Sequence, residues 1–160
     1  LLEIKEVSAF GWPYCFLDGK TNQMILAPEY GGDGKTVGRC AQFERPIAGF
    51  PAHSAPVDLQ FFDHPALPAK YRGGAFVVMH GSWNRAPAPM DGYNVLYQPF
   101  ANGKPSGKYE IFADGFAGKV IMSPNEAAAR ANGIAIGPKG ELYITESVKG
   151  KTWRVTYRGK

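Results

Sequence analysis

The sequence predicts an all-β fold made of short antiparallel strands, and three observations lead to it. Runs rich in β-branched and aromatic residues recur from Pro56 onward, with turn signals such as Asn102-Gly103 between them. The 160 residues include 20 glycines and 13 prolines, which favours turns over long helices. Residues 74–100 and 140–158 also repeat one plan, a short apolar strand, a polar segment and an alternating strand. Repetition of such units indicates β-propeller-type antiparallel blades.

The elements follow from these runs in chain order. Residues 1–55 are turn-rich and polar, so we expect a loop-rich segment there. Four strands at 57–62, 74–80, 93–100 and 108–116 would form a four-stranded blade over residues 56–118. Strands at 133–138, 141–147 and 152–158 would form the next blade, over residues 119–160. Together they make a single, partial propeller domain.

One short helix is expected between the two blades. Ser123 is a suitable N-cap, Pro124 occupies the first helical position and Glu126 stands three residues after the cap. Asn132-Gly133 offers a stop signal after a short alanine-rich stretch. The pattern predicts one or two turns of helix.

Charge and length exclude several function classes. The net charge is +4, but the Lys and Arg residues are scattered, which disfavours a nucleic-acid-binding protein. No apolar run is long enough for a membrane-spanning helix. The first residues, LLEIKEVSAF, lack both an initiator Met and the pattern of a signal peptide, so we expect a processed product or a piece of a longer chain.

The two cysteines leave two interpretations open. Cys15 and Cys40 could form one disulfide that closes a medium-sized loop, as in exported proteins, or remain two separate buried thiols. Their spacing does not match a CxxC metal or redox motif.

The segment VVMHGSWNRAP, residues 77–87, places polar and aromatic side chains at the end of a buried strand. A functional interpretation makes it a site in which Asn84 and Arg85 bind a polar or anionic ligand and Trp83 provides a stacking wall. The structural alternative is a packed corner, with His80 bonded to backbone and Trp83 in the core. Arg130, which precedes a later strand, is either a charge at a helix C-terminus or a ligand contact.

The chain carries, in order along nearly its whole length, the motifs FGWPYC, PAHSAPVDLQFF, YRGGAFVVMHGSWNR, GYNVLYQPFANGKPSGKYEIFADGF and RANGIAIGPKGELYITES. These motifs resemble the C-terminal part of the soluble glucose/sorbosone dehydrogenases, which depend on pyrroloquinoline quinone (PQQ). The resemblance implies two to three blades of a six-bladed propeller. It also implies hydride transfer from a sugar hydroxyl to PQQ, with calcium polarising the cofactor.

The resemblance further implies roles for particular residues. The expected cofactor contacts are His80, Arg85, Arg130 and Asn132, where Asn132 replaces a second arginine found in some members. Trp83 and Asn84 are the expected sugar contacts. The family's catalytic histidine and most of its calcium ligands have no counterpart here, so no residue of the chain is assigned to catalysis or to a metal.

The expected function is therefore that of a C-terminal portion of a PQQ-dependent sugar dehydrogenase, inactive alone. Its expected partners are an aldose or related sugar and either an N-terminal propeller half or another copy of the chain. A periplasmic or secreted location is expected. The alternatives are a non-enzymatic module that binds carbohydrate or protein, and a small secreted β-protein stapled by its cysteines.

Overall fold

Residues 1–159, which the computed structural model describes, divide into two units, Leu1–Phe50 and the residues from Pro51 onward. The first unit holds an antiparallel hairpin of β1 (Cys15–Asp18) and β2 (Gln23–Leu26). Two short 3-10 helices follow, at Pro28–Tyr30 and Gly38–Gln42. This unit contains long loops together with a two-stranded sheet that the polar turns of the sequence did not predict.

A disulfide joins Cys15 to Cys40, with an S–S distance of 2.02 Å and a Cα–Cα distance of 5.9 Å. The first of the two sequence interpretations is therefore confirmed. Both half-cystines are buried together with Met24, and partly buried apolar side chains pack around them. This core is small for a unit of its length, so the covalent link is a main source of its stability.

The second unit contains nine strands within the described residues. In chain order they are β3 (Pro56–Phe62), β4 (Gly74–Met79), β5 (Asn94–Gln98), β6 (Phe100–Ala101), β7 (Lys104–Pro105), β8 (Glu110–Ala113), β9 (Ala131–Ile136), β10 (Leu142–Glu146) and β11 (Thr152–Val155). Strands β3, β4, β5 and β8 form a four-stranded antiparallel sheet in that order, and β9, β10 and β11 form a three-stranded one. The predicted all-β fold of antiparallel propeller-type blades is confirmed.

The two sheets share one hydrophobic core. Phe76 and Val78 of β4 are fully buried and lie opposite Tyr97 and Val95 of β5 in the antiparallel register. The second sheet adds four side chains to the same cluster, Ala131, Ile134, Leu142 and Ile144. All of β4 and the middle of β5 are apolar because both faces of these strands are covered, which is why period-two alternation is weak there.

Antiparallel pairing brings six strand ends to the same side of the two sheets. Pro56 lies opposite Met79, Met79 opposite Asn94, and Val95 opposite Ala113, while Glu146 lies opposite Ala131. Asp58 ties the two sheets together near this side, because its carboxylate accepts a hydrogen bond from the Ile134 amide at 2.8 Å. We call this side, formed by the beginnings of β3, β5 and β9 and the ends of β4, β8 and β10, the site edge.

The predicted helix is reduced to a single 3-10 turn, Pro124–Glu126. Its start matches the prediction, since the Ser123 hydroxyl accepts a hydrogen bond from the Asn125 amide. The helix does not continue because the amides of Ala128 and Ala129 donate instead to the carbonyls of Ala117 and Phe116. Within residues 1–159, no helix is long and apolar enough to cross a membrane.

Candidate functional site

His80 and Arg130, fifty residues apart in sequence, meet at the site edge. His80 is half-buried directly after β4, and its Nδ1 atom lies 2.9 Å from the carbonyl oxygen of Ala131. Because a carbonyl can only accept, Nδ1 carries the proton, and Nε2 is left as the acceptor in the neutral ring. The packed-corner interpretation expected a histidine bonded to backbone, and this contact is such a bond. The contact also fixes the orientation of the ring.

The Arg130 guanidinium holds the strand end that precedes the HGSWNR loop. Its Nε donates to the carbonyl of His80 at 3.3 Å, and one terminal nitrogen donates to the carbonyl of Gly81 at 3.2 Å. The guanidinium also lies over the Tyr93 ring, with 5.6 Å between its central carbon and the ring centroid. A guanidinium has five N–H donors, so these contacts leave donors for a ligand. Arg130 is a cross-link between the two sheets and not a charge at a helix end.

Several residues beside these two adopt the left-handed backbone conformation. Gly81 has φ +92° and Gly92 has φ +84°. Tyr93 has φ +56°, although it is not a glycine. A Cβ built on Gly92 would lie 3.0 Å from the Cα of Gly81 and 3.2 Å from the carbonyl oxygen of Ser54. The backbones of the segments that contain Ser54, Gly81 and Gly92 are therefore in close contact here. Non-glycine residues in the left-handed conformation are often found at functional sites.

Ser82 anchors the HGSWNR loop, and the residues after it point outward. The Ser82 hydroxyl accepts a hydrogen bond from the Asp91 amide at 2.7 Å, and the Tyr93 hydroxyl donates to the Ser82 carbonyl. Trp83 is 73% exposed and Asn84 is exposed as well. The interpretation that put Trp83 in the core is therefore wrong, and its ring is free to meet a partner.

Arg85 leaves the site edge and lines a neighbouring cavity. Its Nη1 lies 3.1 Å from an Oδ atom of Asp91 in an ion pair that is partly exposed. The cavity has a volume of about 580 Å³ and is formed by two loops, residues 85–93 and 114–120. We call it the loop cleft. Its floor includes Met90 and Tyr93, and it carries Asp114 and Lys119 on the second loop.

Two asparagines lie at the site edge. Asn132, the second residue of β9, is exposed. Asn94 begins β5, and its Oδ1 atom is buried without a hydrogen-bond partner among residues 1–159. A buried acceptor without a donor costs about 1–3 kcal/mol, so a bound ligand or water would be stabilised there. The sequence interpretation missed Asn94, because a single asparagine at a strand start carries no distinguishing pattern.

Glu146 closes the loop at the end of β10. The residue is buried, and its carboxylate accepts hydrogen bonds from the amides of Val148 and Lys149 at 2.7 Å and of Lys151 at 2.9 Å. The Lys151 amide, with those of Val148 and Lys149, holds the pKa of the Glu146 carboxyl below its ordinary value of 4.5, although burial opposes the shift. The carboxylate therefore shapes a loop of the site edge.

A Glu146→Gln substitution is expected to lower stability in a pH-dependent way. The folded state favours the ionised carboxyl, so its contribution is complete above pH 4.5 and is lost as the pH falls through the lowered pKa. The melting temperature of the wild type should exceed that of the variant at pH 7, and the gap should shrink at pH 3. The exposed Glu126→Gln serves as control. An equal gap at both pH values would contradict the assignment.

The structure thus separates the residues singled out from the sequence into two places. His80, Arg130 and Asn132 are at the site edge, whereas Arg85 lines the loop cleft, with Trp83 and Asn84 on the loop between. Tyr93, Asp91 and the second cleft loop were missed, although an aromatic residue directly before a buried strand was visible in the sequence. Among the described residues, no group of three or more His, Cys, Asp or Glu side chains is placed to hold a metal ion.

Comparison with known proteins gives a family and a fold. A family profile described as TrAA12-like matches residues 3–158. An uncharacterized protein of Borreliella burgdorferi (strain B31) is 28% identical over 149 residues, which are 92% of this chain and 36% of that protein. The chain thus spans little more than a third of the length of this relative.

Solved structures similar to this chain show the same partial coverage. The calcium structure of Trichoderma reesei Carbohydrate-Active Enzymes Family AA12 matches 91% of this chain and 37% of that one, with 20% identity and a TM-score of 0.63. A crystal structure of glucose dehydrogenase matches 94% of this chain and 36% of that one, with 19% identity and a TM-score of 0.56. At these identities the likeness is one of fold.

Proposed function

Because the chain belongs to the TrAA12-like family, we propose that it is one part of a sugar-oxidising enzyme and supplies one wall of its cofactor site. In this proposal the enzyme is a PQQ-dependent dehydrogenase of the aldose or sorbosone type. When bound, PQQ takes up a hydride from the carbon that bears the reacting sugar hydroxyl. The observation that carries the proposal is the meeting of Arg130 and His80 at the site edge.

The residues present fit an anionic, oxygen-rich cofactor such as PQQ on one side. Arg130 is held in place by two backbone carbonyls and keeps spare donors for a carboxylate. Asn132 is exposed beside it and offers an amide. The neutral His80 ring presents Nε2 as an acceptor, which suits a hydroxyl of the sugar and not a carboxylate of the cofactor. In this proposal Arg85 is a second cation toward the cofactor, oriented by its ion pair with Asp91.

The described residues do not fit a calcium site, because they bring no group of acidic side chains together at a metal. No step is therefore assigned to a metal on this chain, and calcium would need ligands from elsewhere. We propose that the missing walls come from an N-terminal propeller half or from another copy of the chain. A periplasmic or secreted location is part of the proposal and is supported by the disulfide.

An Arg130→Lys substitution tests the proposal. Lysine keeps the charge but cannot bridge the two carbonyls and also bind a carboxylate through a planar fork. We expect PQQ affinity to fall about tenfold to a hundredfold, the range for losing a charged hydrogen bond. Binding is measured by quenching of tryptophan fluorescence, and activity by aldose-dependent dye reduction, both on the longest natural polypeptide that contains this chain. Arg158→Lys is the matched control on an exposed residue.

Failure to take up PQQ with calcium present would refute the dehydrogenase proposal. It would favour the second candidate, a non-enzymatic module for carbohydrate or protein, for which the exposure of Trp83 is the specific support. Normal PQQ uptake with equal affinity in wild type and Arg130→Lys would instead refute the role of Arg130 alone.

A further inference from the structure

Apart from Arg85 and its ion-pair partner Asp91, the residues of the loop cleft have no role in the proposed chemistry, yet the cleft is built like a binding site. Its volume of about 580 Å³ falls within the range of about 300–1,000 Å³ that small-molecule pockets occupy. Its floor is apolar, with Met90 and the buried Tyr93, and charged side chains stand on both walls. An apolar floor with a few directed polar groups is the usual composition of a ligand pocket.

Both walls of the loop cleft are fixed by backbone hydrogen bonds. The Met90 amide donates to the Ile121 carbonyl at 2.8 Å, which joins the first loop to the segment that follows the second. The second loop is held by the amides of Ala128 and Ala129, which donate to the carbonyls of Ala117 and Phe116. A cleft with preformed walls loses little conformational entropy when a ligand enters.

The positive and negative side chains that line the loop cleft are equal in number. The first loop contributes Arg85 and Asp91, and the second contributes Asp114 and Lys119, so each wall has one cation and one carboxylate. A net charge of zero gives no preference for an anion or a cation. Adjacent donors and acceptors instead suit hydroxyl groups, which both donate and accept. A neutral polyol with apolar C–H faces matches the walls and the floor together.

We propose that the loop cleft binds neutral oligosaccharide, and that it holds the sugar units beyond the one that is oxidised. The second half of this statement rests on the proposed function. Two contacts link the cleft to the site edge, since Tyr93 forms part of the cleft floor and its ring lies beneath the Arg130 guanidinium. Ser82, which follows the strand end beside His80, also holds Asp91 through its hydroxyl. A ligand in the cleft is therefore adjacent to the residues that face the cofactor.

The test compares cellotriose with glucose on the longest natural polypeptide that contains the chain. Calorimetry should detect cellotriose binding, and dye reduction should show a higher kcat/KM for cellotriose than for glucose. Asp114→Asn and Lys119→Gln should each weaken cellotriose binding and its kcat/KM about tenfold through loss of a charged hydrogen bond, with glucose oxidation unchanged. Both residues are exposed, so the variants should melt like the wild type, and the exposed Asp63→Asn is the matched control.

The outcomes separate this inference from the proposed function. Cellotriose binding that Asp114→Asn weakens, without oxidation of any sugar, would support the cleft and refute the dehydrogenase. Oxidation of cellotriose and glucose with equal kcat/KM, unaffected by either variant, would overturn the cleft and leave the dehydrogenase standing. Absence of cellotriose binding in calorimetry would also overturn the cleft, whatever the enzymatic result.

Discussion

A Gly81→Ala substitution is expected to destabilise the second unit by about 3 kcal/mol and to abolish the arrangement of the site edge. Gly81 has φ +92°, a conformation that costs an alanine about 1–2 kcal/mol. The added Cβ would also lie 2.4 Å from the Cδ2 and Cε2 atoms of Tyr93. That ring has little freedom to move, because its hydroxyl is bonded to the Ser82 carbonyl and Arg130 lies over its face.

The matched control is Gly103→Ala, because Gly103 has φ +75° but nothing within 4 Å of its Cβ position. Both variants carry the backbone cost, so the difference between them measures the contact with Tyr93. Chemical denaturation should show a loss of about 1–2 kcal/mol for Gly103→Ala and a clearly larger loss for Gly81→Ala. Equal losses would show that the Tyr93 ring yields at no cost.

Much of the fold could be predicted because the strands carry strong local signals. Residues 75–79 and 95–97 are β-branched, apolar or aromatic, and the segment between them contains glycine in turns. The ends of the strands were predicted less accurately than their positions in the chain. The predicted strand at 93–100 ends at Gln98, because Pro99 lacks the amide that a continuing ladder needs and the chain enters a separate hairpin.

The candidate site was only partly predictable, since its contacts are long-range. The sequence indicated that the HGSWNR segment and Arg130 were unusual, but no local pattern shows that the guanidinium reaches the His80 carbonyl. The pairing depends on β9 starting at Ala131, two residues before the predicted strand, which places the Ala131 carbonyl beside the His80 ring. The loop cleft was missed entirely, because its charges come from two loops that are far apart in sequence.

Removing the disulfide is expected to destabilise the first unit by about 3.5 kcal/mol, the chain-entropy value for a loop closed across 25 residues. The effect should be large relative to this unit's stability, because the cluster around the bond has three buried members among the described residues, Cys15, Met24 and Cys40. Cys15 is 4% exposed and Cys40 is 1% exposed. In a Cys15→Ser/Cys40→Ser variant, two hydroxyls replace these buried sulfurs, and burying the hydroxyls adds a desolvation cost.

Hydrogen exchange locates the loss, because it reports each segment separately. The amides of β1 and β2 should lose most of their protection in the double-serine variant, with those of β4 and β5 as the internal reference. A reducing agent should reproduce this loss in the wild type and should change nothing further in the variant, which lacks the bond. Unchanged protection of β1 and β2 after reduction would mean that the hairpin is held by its apolar contacts with Val37 and Phe43 and not by the covalent link.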